Sequence, residues 1–150
     1  MKNVALLPES NELGAKTNYA IHFTITNILP MGSFVDIYFP KAPYPSLSSI
    51  TCAEIFTAGK NTSCKVKTED KINNVIRVSS AFDTKAIEPN TEIGILLLGV
   101  VNPKYSIDTT RVENQFQIFT VSPDGYPIDG ASNLAFPIGC VFPCKTCDNG

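Results

Sequence analysis

The fold predicted for this 150-residue chain is an all-β antiparallel sandwich. Three observations predict it. Apolar side chains recur with a period of two along nearly the whole sequence. Turn residues interrupt that pattern at roughly 8–15-residue intervals, which divides the chain into about seven to nine strands. Only one stretch, Phe82–Glu88, reads as a turn of helix. A closed barrel is the alternative, because periodicity carries no information about strand order.

The elements follow in order. In Thr17–Thr26, Tyr19, Ile21, Phe23 and Ile25 alternate with Ala20, His22, Thr24 and Thr26, a strand with one buried face. Pro30-Met31-Gly32 turns the chain into Ser33–Phe39, where Val35, Ile37 and Phe39 share a face, and Pro40 stops the ladder because it has no N–H to donate. Lys41–Ser48, rich in Pro and Ser, reads as a loop. Ile50–Phe56 and Ser63–Thr68 are strands on either side of a cysteine-bounded loop, and Ile72–Ser79 is the next. Glu92–Val101 is the longest and is apolar on both faces, which marks it as central. Asn102-Pro103 ends it. Asn114–Val121 has Phe116 and Ile118 in phase, Ser122-Pro123-Asp124-Gly125 and Asp129-Gly130 read as turns, and Ala135–Ile138 is a short last strand. The first and last strands, near Val4–Leu7 and Ala135–Ile138, are expected at sheet edges.

Composition supports a folded domain and narrows its partners. A hydrophobic content of 43%, with nine Phe and five Tyr, is enough for a packed core. A chain of this length buries roughly 70% of its unfolded surface. Charged residues are only 17% of the total and the net charge is -2, so the dense basic face a nucleic-acid binder needs is missing. No apolar run approaches the ~18–20 residues that cross a bilayer as a helix. Pro8 interrupts the N-terminal apolar segment before it reaches signal-peptide length. A secreted protein of this sequence is therefore expected to carry its signal upstream, in a longer precursor.

The five cysteines are the strongest clue to compartment. Cys52 and Cys64 bracket eleven residues that include the sequon Asn61-Thr62-Ser63. A disulfide between them would close a small loop and contribute about 3 kcal/mol by chain entropy; two buried thiols, or another pairing, are the alternatives. A bridge beside an Asn-x-Ser acceptor points to an oxidising, extracellular setting with a glycan on Asn61, against the bland reading of an unmodified surface asparagine. Cys140, Cys144 and Cys147 crowd the last eleven residues. They read as disulfide partners whose mates lie partly outside the chain, or as three of the four ligands a zinc ion wants. This divides the sequence into a domain over 1–139 and the truncated start of a cysteine-rich module over 140–150.

Catalytic signals are weak. The single histidine, His22, falls on the face opposite Tyr19, Ile21 and Phe23, and no hydrolase, metalloprotease, phosphate-loop or dinucleotide motif occurs. No cofactor is expected. Asp108, Asp124 and Asp129 are weak calcium candidates in expected loops, although Asp-Gly pairs have a sufficient explanation as turns. Tyr44, Tyr105 and Tyr126 are exposed-loop candidates for stacking on a sugar, or simple loop anchors.

The order Thr-x-Tyr-x-Ile-x-Phe, then Pro-x-Gly-Ser and a Phe-Pro, then Cys-loop-Cys and a long Ile/Leu strand ending in Asn-Pro, resembles the repeated β-sandwich modules of very large ciliate surface proteins. Phe116-Gln117-Ile118-Phe119-Thr120 and Gly125-Tyr126-Pro127-Ile128-Asp129 match the continuation of those modules approximately. Pro143-Cys144-Lys145-Thr146-Cys147 is similar to the start of furin-like or growth-factor-receptor-like cysteine-rich repeats. The resemblance implies an Ig-like sandwich with no catalytic residue, placed at a cell or ciliary surface. Its partners would be neighbouring modules, copies of itself, or glycans.

Overall fold

The computed structural model describes residues 1–40, 50–67, 73–105 and 110–137. Nine strands occur among them: β1 (Lys2–Pro8), β2 (Lys16–Thr24), β3 (Phe34–Pro40), β4 (Thr51–Phe56), β5 (Ser63–Lys67), β6 (Asn73–Ser79), β7 (Glu92–Val101), β8 (Gln115–Val121) and β9 (Pro127–Ala135). All strand-to-strand ladders are antiparallel. Four strands form one sheet in the order β1-β2-β7-β4, and five form a second in the order β5-β6-β3-β8-β9. With β1, β2, β7 and β4 read as A, B, E and D, and β3, β8 and β9 as C, F and G, this is the immunoglobulin-type arrangement. The β5–β6 pair is inserted between D and E and widens the second sheet beyond β3.

The core is where the two period-two faces meet. Tyr19, Ile21 and Phe23 of β2 with Ile93, Ile95 and Leu97 of β7 face Val35, Ile37 and Phe39 of β3, Ile76 and Val78 of β6, and Phe116 and Ile118 of β8, all buried. One irregularity keeps β7 in phase. Its register with β2 slips between Thr17 and Tyr19, which leaves one extra residue on β7, and Gly99 takes φ +83° there. That bulge switches the inward set from Ile93, Ile95 and Leu97 to Val100.

Both open flanks of the sandwich are closed. On one, a disulfide joins Cys52 of β4 to Cys64 of β5, with Cα atoms 5.5 Å apart. These are the edge strands of the two different sheets, so the bridge staples sheet to sheet rather than one loop to itself. On the other flank, Asp129 of β9 reaches the chain leaving β2. Its carboxylate accepts from the Thr26 N–H (2.7 Å), the Thr26 hydroxyl (2.6 Å), the Asn27 N–H (3.0 Å), Asn27 Nδ2 (3.1 Å) and the Met1 amino group (3.2 Å). Burial alone would push this carboxyl up. The hydrogen bonds from the Thr26 side chain and the backbone of Thr26 and Asn27, helped by the Met1 amino group, outweigh it and hold the carboxyl well below the usual range.

At the opposite end Asn102 works in the same way. Its amide donates to the Ser10 and Glu12 carbonyls at 2.9 and 2.8 Å, and its side-chain oxygen accepts from the Tyr19 hydroxyl. Burial pushes the Tyr19 phenol up, keeping it a neutral donor. Phe136, 2% exposed, plugs this end, its ring centroid 6.1 Å from each of the Tyr19 and Phe39 centroids.

Three of the four sheet margins are interrupted, and the fourth is short and charged. The extra residue of a bulge falls on β1 near Asn3 (φ 55°), on β4 at Ile55, and twice on β9, where Pro127 and Asn133 (φ 57°) also break the strand. The fourth margin, β5, is five residues long and presents Lys65 and Lys67. These are the devices by which edges avoid pairing with other chains.

Three expectations need correction. Phe82–Glu88 is not helical: Ile87 exchanges both backbone hydrogen bonds with Leu29 at 2.9 Å, and Phe82 and Ile87 both point into the core. Asp129-Gly130 is not a turn but lies within β9, because Asp129 is drawn to Thr26 and Gly130 accommodates a ring. The last strand is Pro127–Ala135, with Phe136 following it as a core plug, whereas Ile138 lies outside the described residues.

Candidate binding face

The two outer faces of the sandwich differ in chemistry. Across the four-stranded sheet, Leu7, Ala20, Leu96 and Ala53 align in one row, and Ala5, His22, Gly94 and Phe56 in the next. These two rows are mostly apolar, while the next row, Lys2, Thr24 and Glu92, carries one charge of each sign. The Phe56 ring lies over Gly94, where a Cβ would come within 2.7 Å of it, and packs edge-on against His22 at 5.2 Å. His22 is thus placed where its phase implied, against an aromatic ring.

The five-stranded sheet presents a charged and aromatic row instead: Lys65, Arg77, Asp36, Phe119 and Gly130 are aligned from β5 to β9. Arg77 grips Asp36 in a two-pronged pair, Nε to Oδ1 and Nη2 to Oδ2, both 2.8 Å. Its guanidinium also sits 4.7 Å from the Phe34 ring centroid. Planar, doubly held and stacked, the group is fixed in place. Lys67 Nζ stands 4.0 Å from Asp36. Tyr38 and Phe119 meet edge-to-face, 5.6 Å apart at 89°, and Phe119 covers Gly130 as Phe56 covers Gly94. A cleft of about 300 Å³ opens here, lined by Asp36, Tyr38, Lys67, Arg77 and Phe119, with the β8–β9 connection along its rim.

The residues singled out from sequence do not assemble into one site. Tyr105 and Tyr126 are exposed but lie at opposite ends of the sandwich, Tyr105 beyond β7 and Tyr126 in the β8–β9 hairpin. Tyr44 lies outside the described residues, as do Asp108, Cys140, Cys144 and Cys147. Asp124 is exposed in the hairpin turn, while Asp129 is buried with its oxygens occupied by internal donors. Among the described residues no group of three or more His, Cys, Asp or Glu is placed to hold a metal, and no helix is long and apolar enough to cross a membrane. Asn61 is exposed on the β4–β5 connection, while Thr62 beside it is buried and bonds back to the Gly59 carbonyl.

Sequence reasoning missed the cleft, although a signal was present. Once Val35, Ile37 and Phe39 are assigned to the core, Phe34, Asp36 and Tyr38 must face outward. An aromatic–acid–aromatic triplet is an unusual solvent face. No family model matches the chain, and a search of curated proteins returns no match.

Proposed function

We propose that this chain is a non-catalytic structural module of a large extracellular or cell-surface glycoprotein, set in a tandem array or surface filament, as its resemblance to ciliate surface modules implies. The observation that carries the reading is where the chain enters and leaves. β1 begins beside the end of β2 (Lys2 opposite Thr24), and β9 begins at that same pole, tied to Thr26 by Asp129. After nine antiparallel passes β9 finishes opposite the start of β8, at the other pole. The first strand thus begins and the last one ends at opposite poles of the sandwich, an arrangement that suits modules strung in line. The sheet-to-sheet disulfide supports an oxidising compartment, and the exposed Asn61 beside it supports a glycan at that flank.

The test has two arms. Non-reducing peptide mapping of the native protein should recover Cys52 and Cys64 on one linked peptide, and antibody to the chain should label intact cells. Free thiols at both positions, together with labelling only after permeabilisation, would sink the proposal.

A further inference from the structure

We infer that the cleft on the outer face of the five-stranded sheet binds an acidic saccharide unit, with Tyr38 and Phe119 meeting the ring and Lys67 and Arg77 its anionic group. Charge supports this choice. The cleft and its flanking row hold Lys65, Lys67 and Arg77 against a single carboxylate, Asp36, and Arg77 already matches that carboxylate with both prongs at 2.8 Å. Lys67 stands 4.0 Å from the same carboxylate, so the cleft lining holds two cations to one anion, with Lys65 alongside in the flanking row, while Asp124 of the adjoining turn is not among the lining residues.

The remaining arguments are steric. Tyr38 and Phe119 line the cleft as an edge-to-face pair, and aromatic rings are the surfaces against which the C–H face of a pyranose packs. A volume of about 300 Å³ is at the small end of ligand sites, matching one or two sugar rings rather than an extended chain. Arg77 is immobilised by Asp36 and Phe34, so little side-chain freedom is lost on binding. The opposite sheet face pairs His22 with Phe56 edge-on, but its rows of Leu7, Ala20, Leu96 and Ala53 and of Ala5, His22, Gly94 and Phe56 hold no lysine or arginine.

The experiment is an amide-resolved NMR titration of the whole chain with three probes: a uronate-containing oligosaccharide, a neutral glucose oligomer of equal length, and a glutamate-rich peptide. The acidic saccharide should shift resonances of Tyr38, Lys67 and Phe119 and should bind more weakly as salt rises. Lys67→Ala should weaken it about tenfold, and Lys67→Glu should abolish it. Tyr38→Ala, checked for an unchanged fold by its spectrum, should weaken it by a similar factor. Absence of response to the acidic saccharide, an equal response to the neutral one, binding of the peptide alone, or an unaltered affinity in Lys67→Ala would each overturn the inference.

Discussion

Breaking the Cys52–Cys64 bond tests the architecture most directly, because it releases the only disulfide between the two sheets among the described residues. The bond closes a loop with a sequence separation of 12. In the chain-entropy treatment, −2.1 − 1.5R ln n cal/mol/K with n of about 13 gives roughly 10 cal/mol/K, or about 3 kcal/mol at room temperature. For a domain of this size that is a fall in Tm of about 6–12 °C. The measurement is calorimetric unfolding of the chain with Cys140, Cys144 and Cys147 replaced by serine, so that a single bond responds, in the presence and absence of reductant. Reduction should also raise the denaturant m-value, since the freed unfolded chain exposes more surface. Cys52→Ala/Cys64→Ala should match the reduced protein to within about 1 kcal/mol, the difference being the lost sulfur packing at two half-buried positions. A reduced protein that melts within about 2 °C of the oxidised one would refute the argument. It would mean that β4 and β5 are held by packing alone.

Three other outcomes follow from packing and titration. Phe136→Ala should cost about 3–5 kcal/mol in urea unfolding, because it empties the plug between Tyr19 and Phe39. Gly94→Ala should cost about 1–3 kcal/mol, since its new methyl would lie 2.7 Å from the Phe56 ring, and adding Phe56→Ala should recover part of that loss in a double-mutant cycle. Asp129→Asn should lower stability by about 1–3 kcal/mol at neutral pH. The folded carboxyl is depressed, so its contribution is complete above the unfolded value of about 4 and fades as pH falls towards the folded one. The urea midpoint of the parent should therefore drop more between about pH 7 and pH 2.5 than that of Asp129→Asn.

What the sequence discloses about this fold, and what it hides, follows the range of the forces involved. Alternation is local, so Tyr19, Ile21 and Phe23, or Phe116 and Ile118, are legible as an inner face without any knowledge of neighbours. The central place of β7 was readable from its two apolar faces, although its outer face is covered at Gly94 by a side chain of its own sheet, Phe56. Asp129-Gly130 was misread because its local chemistry, a turn dipeptide, is overruled by a carboxylate that finds donors 103 residues away in Thr26. Phe82–Glu88 was misread because a long-range bridge to Leu29 outweighs a weak helical tendency. The disulfide was foreseen as a loop closure, but its role between sheets depends on strand order, which periodicity does not encode. The cleft was hidden for that reason too: Asp36, Arg77 and Phe119 come from three strands and meet only through their register.

The broken sheet margins have a bearing on crowding. Identical domains on one tether see one another at millimolar effective concentrations, where intact neighbouring edges would join into continuous sheets or exchange strands during folding. Extra residues in β1, β4 and β9 and the lysines of β5 deny every such pairing a matching register or a neutral partner. If the unit is repeated along one polypeptide, as proposed, these margins would let each copy fold by itself, and a dense layer would stay an assembly of separate beads instead of merging edge to edge.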